Sequence, residues 1–299
     1  MNELRIATRR SPLALRQAES VRDRLARLGV TSRLVAVETT GDQRLDVPLA
    51  AMGGQGVFAA EVQRAVLAGE ADVAVHSAKD LPSTSPEGLV FACVSERRDP
   101  ADVLVGRSLA GLGPGATVAT GSPRRRALLL ERRPDLNVVG LRGNMATRLA
   151  SVGRDGVDAV VAAMAALERL GATELVAERL DPTWFVPQVG QGALALETRA
   201  SDEDVLERLA PMNDRDAFDA VGAERAFLAE LGAGCSIPAG AYARADGGVL
   251  SIDGVMIGVD GVTSVRATRE GVDPYEIGAA LARHLRDERH GDELPGWGT

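Results

Sequence analysis

Two similar α/β lobes followed by a smaller α+β domain are what this sequence predicts, and three observations predict it. Strand-like apolar runs alternate with amphipathic helical runs up to about residue 211, the pattern of α/β layers. Two pairs of segments repeat in the same order: IATRRSPLALRQ (6–17) resembles VATGSPRRRALL (118–129), and DVAVHSAKDL (72–81) resembles DAVVAAMAAL (158–167). Beyond residue 212 the alternation gives way to a helix, Gly-rich alternating strands and a final helix.

The elements follow from local chemistry. LRIATRR is a strand that runs into Ser11-Pro12, and Ser at an N-cap with Pro at the first helical position opens a helix that Gly29 closes. TSRLVAVETT (31–40) is the next strand; GGQGVFAAEVQRAVLAGE (53–70) is a Gly-rich approach to a helix, and ADVAVHSAKD a buried strand, the set reading as parallel α/β. Pro and Gly interrupt the alternation at SERRDP (95–100) and WFVPQVGQGALAL (184–196), the expected crossings between lobes. Domain 1 is therefore expected to span 1–96 and 193–211, domain 2 97–192, and domain 3 212–299, with a hinged cleft between the lobes. Cys235 falls in the tight loop GAGCSIPAG of domain 3.

Composition narrows the function. The 299 residues are 45% hydrophobic, enough for real cores, but 5 Phe, 2 Trp and 2 Tyr are too few for a base-stacking surface. With a net charge of −8 as well, no nucleic-acid partner is expected. The longest uncharged stretch, 108–123, is short and broken by Gly and Pro, and the polar start MNELRIATRR has no signal-peptide core, so a soluble cytoplasmic protein without a membrane partner is expected. Two cysteines, Cys93 and Cys235, are too few for a disulfide framework or a multi-cysteine zinc site, and no metal is expected. GLGPGA (111–116) lacks the strand and spacing of a dinucleotide fingerprint, and there is no P-loop, H-E-x-x-H or Ser-His-Asp signature.

Cations gather where an anion would bind. Helix starts at the carboxyl ends of α/β strands present free N–H groups. Arg9 and Arg10 flank the first Ser-Pro start, Arg124, Arg125 and Arg126 the second, and Arg142 and Arg148 the start in LRGNMATRL, where Asn144 is the expected cap. Cations at a positive helix end are unfavourable unless an anion lies between them, so the expected ligand carries several carboxylates or phosphates. Of 34 basic residues only Lys79 is lysine, which points to chemistry arginine cannot do. Lys79 and Asp80 leave the buried strand together; an aspartate among arginines suits stabilisation of a cation formed during reaction. His76, at the buried end of that strand, reads as a satisfied core residue, whereas the Gly-rich setting of Cys235 presents its thiol rather than packing it.

Taken together, RIATRRSPLAL, TTGD, GGQGVF, ADVAVHSAKDLP, GSPRRRALLLERRPDL, LRGNMATRL, VGQGALALE and LGAGCSIPAG resemble, in order and over nearly the whole chain, the porphobilinogen deaminase (hydroxymethylbilane synthase) family. That resemblance implies lobes of periplasmic-binding-protein type and a monomeric transferase of tetrapyrrole (haem) biosynthesis. Such an enzyme joins four porphobilinogen molecules on a covalent dipyrromethane cofactor, releasing ammonia each time. It implies Cys235 as the thioether residue and Asp80, Lys79, Arg9 and Gln17 as catalytic. Cofactor contacts are implied for Ser77, Lys79, Asp80, Thr120, Ser122, Arg124, Arg125, Arg142 and Arg148, and substrate contacts for Arg9, Ser11, Arg142 and Gln191. Every pyrrole brings an acetate and a propionate, which gives the cation clusters their ligand. Six cleft cations (Arg9, Lys79, Arg124, Arg125, Arg142, Arg148) would then face twelve carboxylates, four from the cofactor and two from each of four units.

The chain departs from the family's common pattern in places. Gln55 and Ala60 stand where many relatives have Lys, in a Gly-rich segment expected to form a flap (41–58), and Gly121 and Pro123 replace the usual Ser and Leu. A non-enzymatic anion-binding module of two lobes would share the cationic helix starts, but it needs neither Cys235 nor Asp80 nor a third domain.

Overall fold

The computed structural model describes residues 3–39, 59–232 and 237–297. By its contacts the chain divides into two compact units, Met1–Arg98 with Ala193–Asp219 and Asp99–Gly192 with Ala220–Thr299.

The first unit is built on a five-stranded sheet of order β2-β1-β3-β10-β4, from β1 (Leu4–Arg9), β2 (Ser32–Val37), β3 (Val73–Ser77), β4 (Leu89–Arg97) and β10 (Ala193–Arg199). Helix α1 (Pro12–Arg27) returns the chain from β1 to β2, and α2 (Ala60–Leu67) precedes β3. Isolated helices of this length are marginal in water. What holds α1 is burial of Ala18, Val21 and Leu25 against Ile6, Val73, Val75 and Leu196. Gly29 at φ 78° ends it, a left-handed position that favours glycine.

The second unit repeats this plan. Its sheet has the order β7-β6-β8-β5-β9, from β5 (Asp102–Val105), β6 (Thr117–Ala119), β7 (Asn137–Val139), β8 (Ala159–Ala163) and β9 (Val176–Arg179), with helices α3 (Pro123–Arg132), α4 (Met145–Leu149) and α5 (Met164–Leu170) between strands. Position by position, β6, β7 and β8 match β1, β2 and β3, which is the internal repeat seen in the sequence. The sheets are mixed, where the alternation predicted parallel ones: β10 runs antiparallel to β3 and β4, and β5 antiparallel to β8 and β9. In each case the reversed strand is the one that enters just after the chain has crossed from the other unit, so no helical crossover fixes its direction.

The same unit carries an antiparallel sheet of β11 (Ala239–Asp246), β12 (Val249–Ile257) and β13 (Ser264–Gly271), beside α7 (Arg215–Glu230) and α8 (Pro274–Arg283). Helix α6 (Glu203–Leu209) precedes α7 in the chain. Phe227, Ala241, Ile252, Met256, Leu281 and Leu285 form the core of this layer. Aliphatic residues dominate every core, with Phe185 and Phe227 the only aromatic rings among the largest fully buried side chains of the described residues.

Candidate active site

In the first unit the carboxyl edge of the sheet collects the predicted residues. Parallel pairing of β1 with β3 (Ile6 opposite Val73, Ala7 opposite Ala74) brings the ends of both strands to one edge. Half-buried Arg9 ends β1; Ser11 caps α1, its hydroxyl accepting from the Ala14 N–H at 3.3 Å, and Gln17 is buried one turn further on. Ser77 ends β3, and the chain turns at once into a 3₁₀ segment, Ala78–Asp80, with Ala78 buried and Lys79 and Asp80 half-exposed. Burial of Ala78 anchors the turn and leaves its two charged neighbours outward.

His76 is a core residue, as the sequence predicted. It is buried, with Nε2 3.4 Å from Glu197 Oε2, and Glu197 also accepts from Gln63 Nε2 at 2.7 Å and Ser85 Oγ at 2.6 Å. These contacts tie α2, β3 and β10 together behind the edge.

In the second unit Thr120 follows β6 and Ser122 caps α3, its hydroxyl accepting from the Arg125 N–H at 3.4 Å while its own N–H donates to Thr120 Oγ1 at 3.2 Å. Pro123 sits at the first helical position, where its missing N–H costs nothing. A Cβ on Gly121 would lie 2.5 Å from the Leu141 carbonyl oxygen, so this chain's turn has no room for the serine common in the family. Asn144 caps α4 by accepting from the Thr147 N–H at 3.0 Å. Arg148 is half-buried, its Nε donating to the Gly143 carbonyl at 2.8 Å, and Arg142 is exposed.

At Arg124 and Arg125 the anion expected from a ligand is already present in the chain. The two arginines are 2% and 7% exposed, and the anion between them is the protein's own Asp102, fully buried at the start of β5. Asp102 Oδ2 accepts from Arg124 at 2.7 Å; Oδ1 accepts from Arg125 Nη2 at 2.6 Å, from Arg125 Nε at 3.1 Å and from Gln191 Nε2 at 2.8 Å. Backbone carbonyls complete the set: Val186 for Arg124 at 2.6 Å, Val161 for Arg125 at 3.1 Å and Pro100 for Gln191 at 2.7 Å. Gln191, expected at the substrate, is thus fully buried against the arginine pair. A Cβ on Gly240 of β11 would fall 2.7 Å from the Pro187 oxygen and 3.2 Å from Arg124 Cδ, so β11 packs directly on this cluster. Arg124 Nε is buried without a hydrogen-bond partner among the described residues.

Burial alone would raise the Asp102 carboxyl, but the Arg125 and Arg124 guanidiniums outweigh it and hold the group below the usual carboxylate range; burial lowers Arg124 against the pull of Asp102. Because the folded value lies below the unfolded one of about 4, this carboxylate's stabilisation is complete above that pH and is lost as pH falls below it. The wild type is expected to lose thermal stability on acidification below about pH 4. Asp102→Asn should do so less steeply while being less stable at pH 7 by roughly 3 kcal/mol, the cost of breaking a buried pair. Thermal midpoints measured across pH 2–7 check this; a variant as steep as wild type would assign the acid loss to other depressed carboxylates such as Asp72 and Asp99.

Of the two cysteines, Cys93 is fully buried in β4 and its thiol is pushed up to about 12, chiefly by burial, so at neutral pH it is not a nucleophile. Cys235 lies outside the described residues, as does segment 41–58 with Gln55, whereas Ala60 opens α2. The elements flanking Cys235 are described: α7 before it and β11 after it are joined by buried Glu224, which accepts from the Ala243 N–H at 2.8 Å and the Gly190 N–H at 2.7 Å. Asp102 and Glu224 are the residues the sequence reading missed. An acid opening the buried run DVLV is the one signal that marked Asp102, since a charge there must be paired.

A family model described as "Porphobilinogen deaminase, dipyromethane cofactor binding domain" matches residues 4–207, and one described as "Porphobilinogen deaminase, C-terminal domain" matches 218–287. Among curated relatives, the porphobilinogen deaminase of Roseiflexus castenholzii is 46% identical over 293 residues, covering 96% of each chain. That of Geobacter sulfurreducens is 44% identical over 291 residues, covering 95% of this chain and 92% of the relative. A periplasmic substrate-binding protein of an ABC transporter from Coxiella burnetii is 16% identical, with a TM-score of 0.44 over 74% of this chain and 96% of its own.

Proposed function

Because the chain belongs to the porphobilinogen deaminase family, we propose that its residues carry the family's reaction in the following roles. Four porphobilinogens are joined head to tail, and the linear tetrapyrrole hydroxymethylbilane is released by hydrolysis. In each cycle the C–N bond of the substrate's aminomethyl group breaks and ammonia leaves. A C–C bond forms to a pyrrole α-carbon, and that carbon's proton is lost.

The dipyrromethane, when bound, supplies the terminal pyrrole to which the first unit is joined. The donor set suits it: capped helix N-termini with cations beside them, and a buried guanidinium nitrogen, Arg124 Nε, without a partner among the described residues. Cys235 is assigned the thioether, a role the inert Cys93 thiol cannot fill at neutral pH. Asp80 accepts pyrrole N–H bonds and stabilises the cation left on the substrate when ammonia departs. Arg9 and Lys79 of the first unit, and Arg124, Arg125, Arg142 and Arg148 of the second, hold acetate and propionate groups. Ser11, Ser77, Thr120 and Ser122 donate hydrogen bonds to them; Gln17 and Gln191 support the sites from within. The observation that carries this reading is the match of both family models along nearly the whole chain, residues 4–207 and 218–287.

The enzyme is then a transferase acting as a cytoplasmic monomer. No helix among the described residues is long and apolar enough to cross a membrane, which accords with that placement. The domain division proposed is 1–96 with 193–211, 97–192 and 212–299, the last set apart by its own sheet and core.

Native mass spectrometry with limiting porphobilinogen tests the reading. Wild type should show a base mass exceeding the chain by two linked pyrroles, and a ladder of one to four added units. Arg148→Leu removes one of the few cations facing the carboxylates and should stall the ladder early, with the three- and four-unit complexes depleted at least about threefold, a loss of about 0.7 kcal/mol. A protein without the base excess, or without any ladder, would sink the proposal.

A further inference from the structure

We propose that Asp102 is a positioning residue for this reaction: a resident carboxylate that fixes the Arg124 and Arg125 guanidiniums and leaves the pair one net positive charge for the ligand's carboxylates. The inference rests on the reading of those arginines as carboxylate binders.

Three observations carry it. First, the stoichiometry is fixed by burial: one carboxylate, 0% exposed, bonds to both guanidiniums, so the cluster holds two positive charges and one negative at the N-terminus of α3. Second, both oxygens of Asp102 are engaged, by four hydrogen bonds from three side chains. Oδ1 takes Arg125 twice and Gln191 once, and Oδ2 takes Arg124, so the carboxylate is locked in one orientation rather than free to swing aside. Third, Gln191 bonds to both Asp102 and the Pro100 carbonyl, and residues 100 and 191 stand near the two ends of the segment Asp99–Gly192, two of the three points where the chain passes between its units. The geometry of the pair is therefore set from β5 and from both ends of the segment Asp99–Gly192 together.

The consequence is quantitative. Counting Asp102, the six cations that face twelve ligand carboxylates carry five net charges. A product that must be released is best held by a pair already half neutralised. Asp102→Asn keeps the shape and an acceptor but restores the second charge, so the longest chain should be held more tightly. The four-unit complex is then expected to accumulate in native mass spectra, with kcat reduced at least about threefold and KM not raised. A residue that only propped the arginines in place would give the opposite split, with KM raised and the ladder shifted to short complexes.

The experiment compares wild type, Asp102→Asn, Arg125→Gln and the double variant Asp102→Asn/Arg124→Gln, whose net charge equals that of wild type. Each is measured for folding by circular dichroism, covalent pyrrole content by intact mass, ladder populations, kcat and KM. Accumulation of the four-unit complex in Asp102→Asn, with return towards wild type in the double variant, supports the proposal. Unchanged or shortened ladders in a folded, pyrrole-bearing Asp102→Asn overturn it. If Asp102→Asn does not fold, the double variant decides: a folded protein with a wild-type ladder supports the charge account, and any other result overturns it. Arg125→Gln separates the two levels, because undiminished cofactor and ladder in that variant would remove the carboxylate-binding reading itself.

Discussion

Cys235→Ser is expected to fold and to carry no covalently bound pyrrole, with porphobilinogen turnover at least about a thousandfold below wild type. The reason is nucleophilicity. A thiol with an ordinary pKa is already a few per cent thiolate near neutral pH, whereas a serine hydroxyl is not measurably ionised there and forms no thioether. The matching control is Cys93→Ser. Burial holds the Cys93 thiol up to about 12, so it has no part in attachment, and its loss should leave the covalent pyrrole in place. That variant should pay only in stability, by about 1–3 kcal/mol for a buried hydroxyl that lacks a partner. Intact mass, together with colour from a pyrrole-reactive aldehyde after denaturation, distinguishes the two variants. Persistent pigment on Cys235→Ser would overturn the assignment of the thioether.

What could be read from the sequence was what local chemistry determines. The starts of α1 and α3 were legible because Ser-Pro fixes a cap and a first helical position without help from the rest of the fold, and both caps are made. The repeat was legible for the same reason, since an Ala-Thr pair, Ala7-Thr8 at the end of β1 and Ala119-Thr120 at the end of β6, comes shortly before each such start. Pairing direction was not legible. β10 and β5 are apolar runs like any buried strand, and nothing in their periodicity records that they run antiparallel to strands distant in sequence. The site shows the same limit. Three clusters of cations at helix starts announced an anion, but periodicity does not tell a ligand's carboxylate from the chain's own, and Asp102 is a single acid in a run of Val and Leu. Gln191 likewise came from family resemblance with a role at the substrate, and its burial against Asp102 follows only from the fold. The roles of Asp80 and Cys235 rest on resemblance too; the residues themselves mark only an acid beside the sole lysine and a thiol among glycines.

Asp80→Asn is expected to lower kcat at least about a hundredfold, close to 3 kcal/mol, while KM changes little. Asp80 ends the 3₁₀ turn that follows β3, half-exposed beside Lys79, with the turn anchored by buried Ala78. Asparagine keeps the size and the carbonyl acceptor, so the turn should form as before and the substrate's acetate and propionate still meet their cations. What is lost is the negative charge. Porphobilinogen already bears a positive ammonium on its aminomethyl group; C–N cleavage releases neutral ammonia and moves that charge into the pyrrole ring, whose N–H Asp80 is assigned to accept, so the carboxylate is expected to count most there. An interaction made only in the transition state lowers kcat and kcat/KM together, and that is the signature to measure. Single-turnover rates of ammonia release would place the loss at C–N cleavage rather than at product release. Near-normal turnover in a folded, pyrrole-bearing Asp80→Asn would move the stabilisation of the cation to another group. A raised KM at unchanged kcat would make Asp80 a ground-state binding residue, holding the substrate's ammonium rather than stabilising the ring cation formed on C–N cleavage.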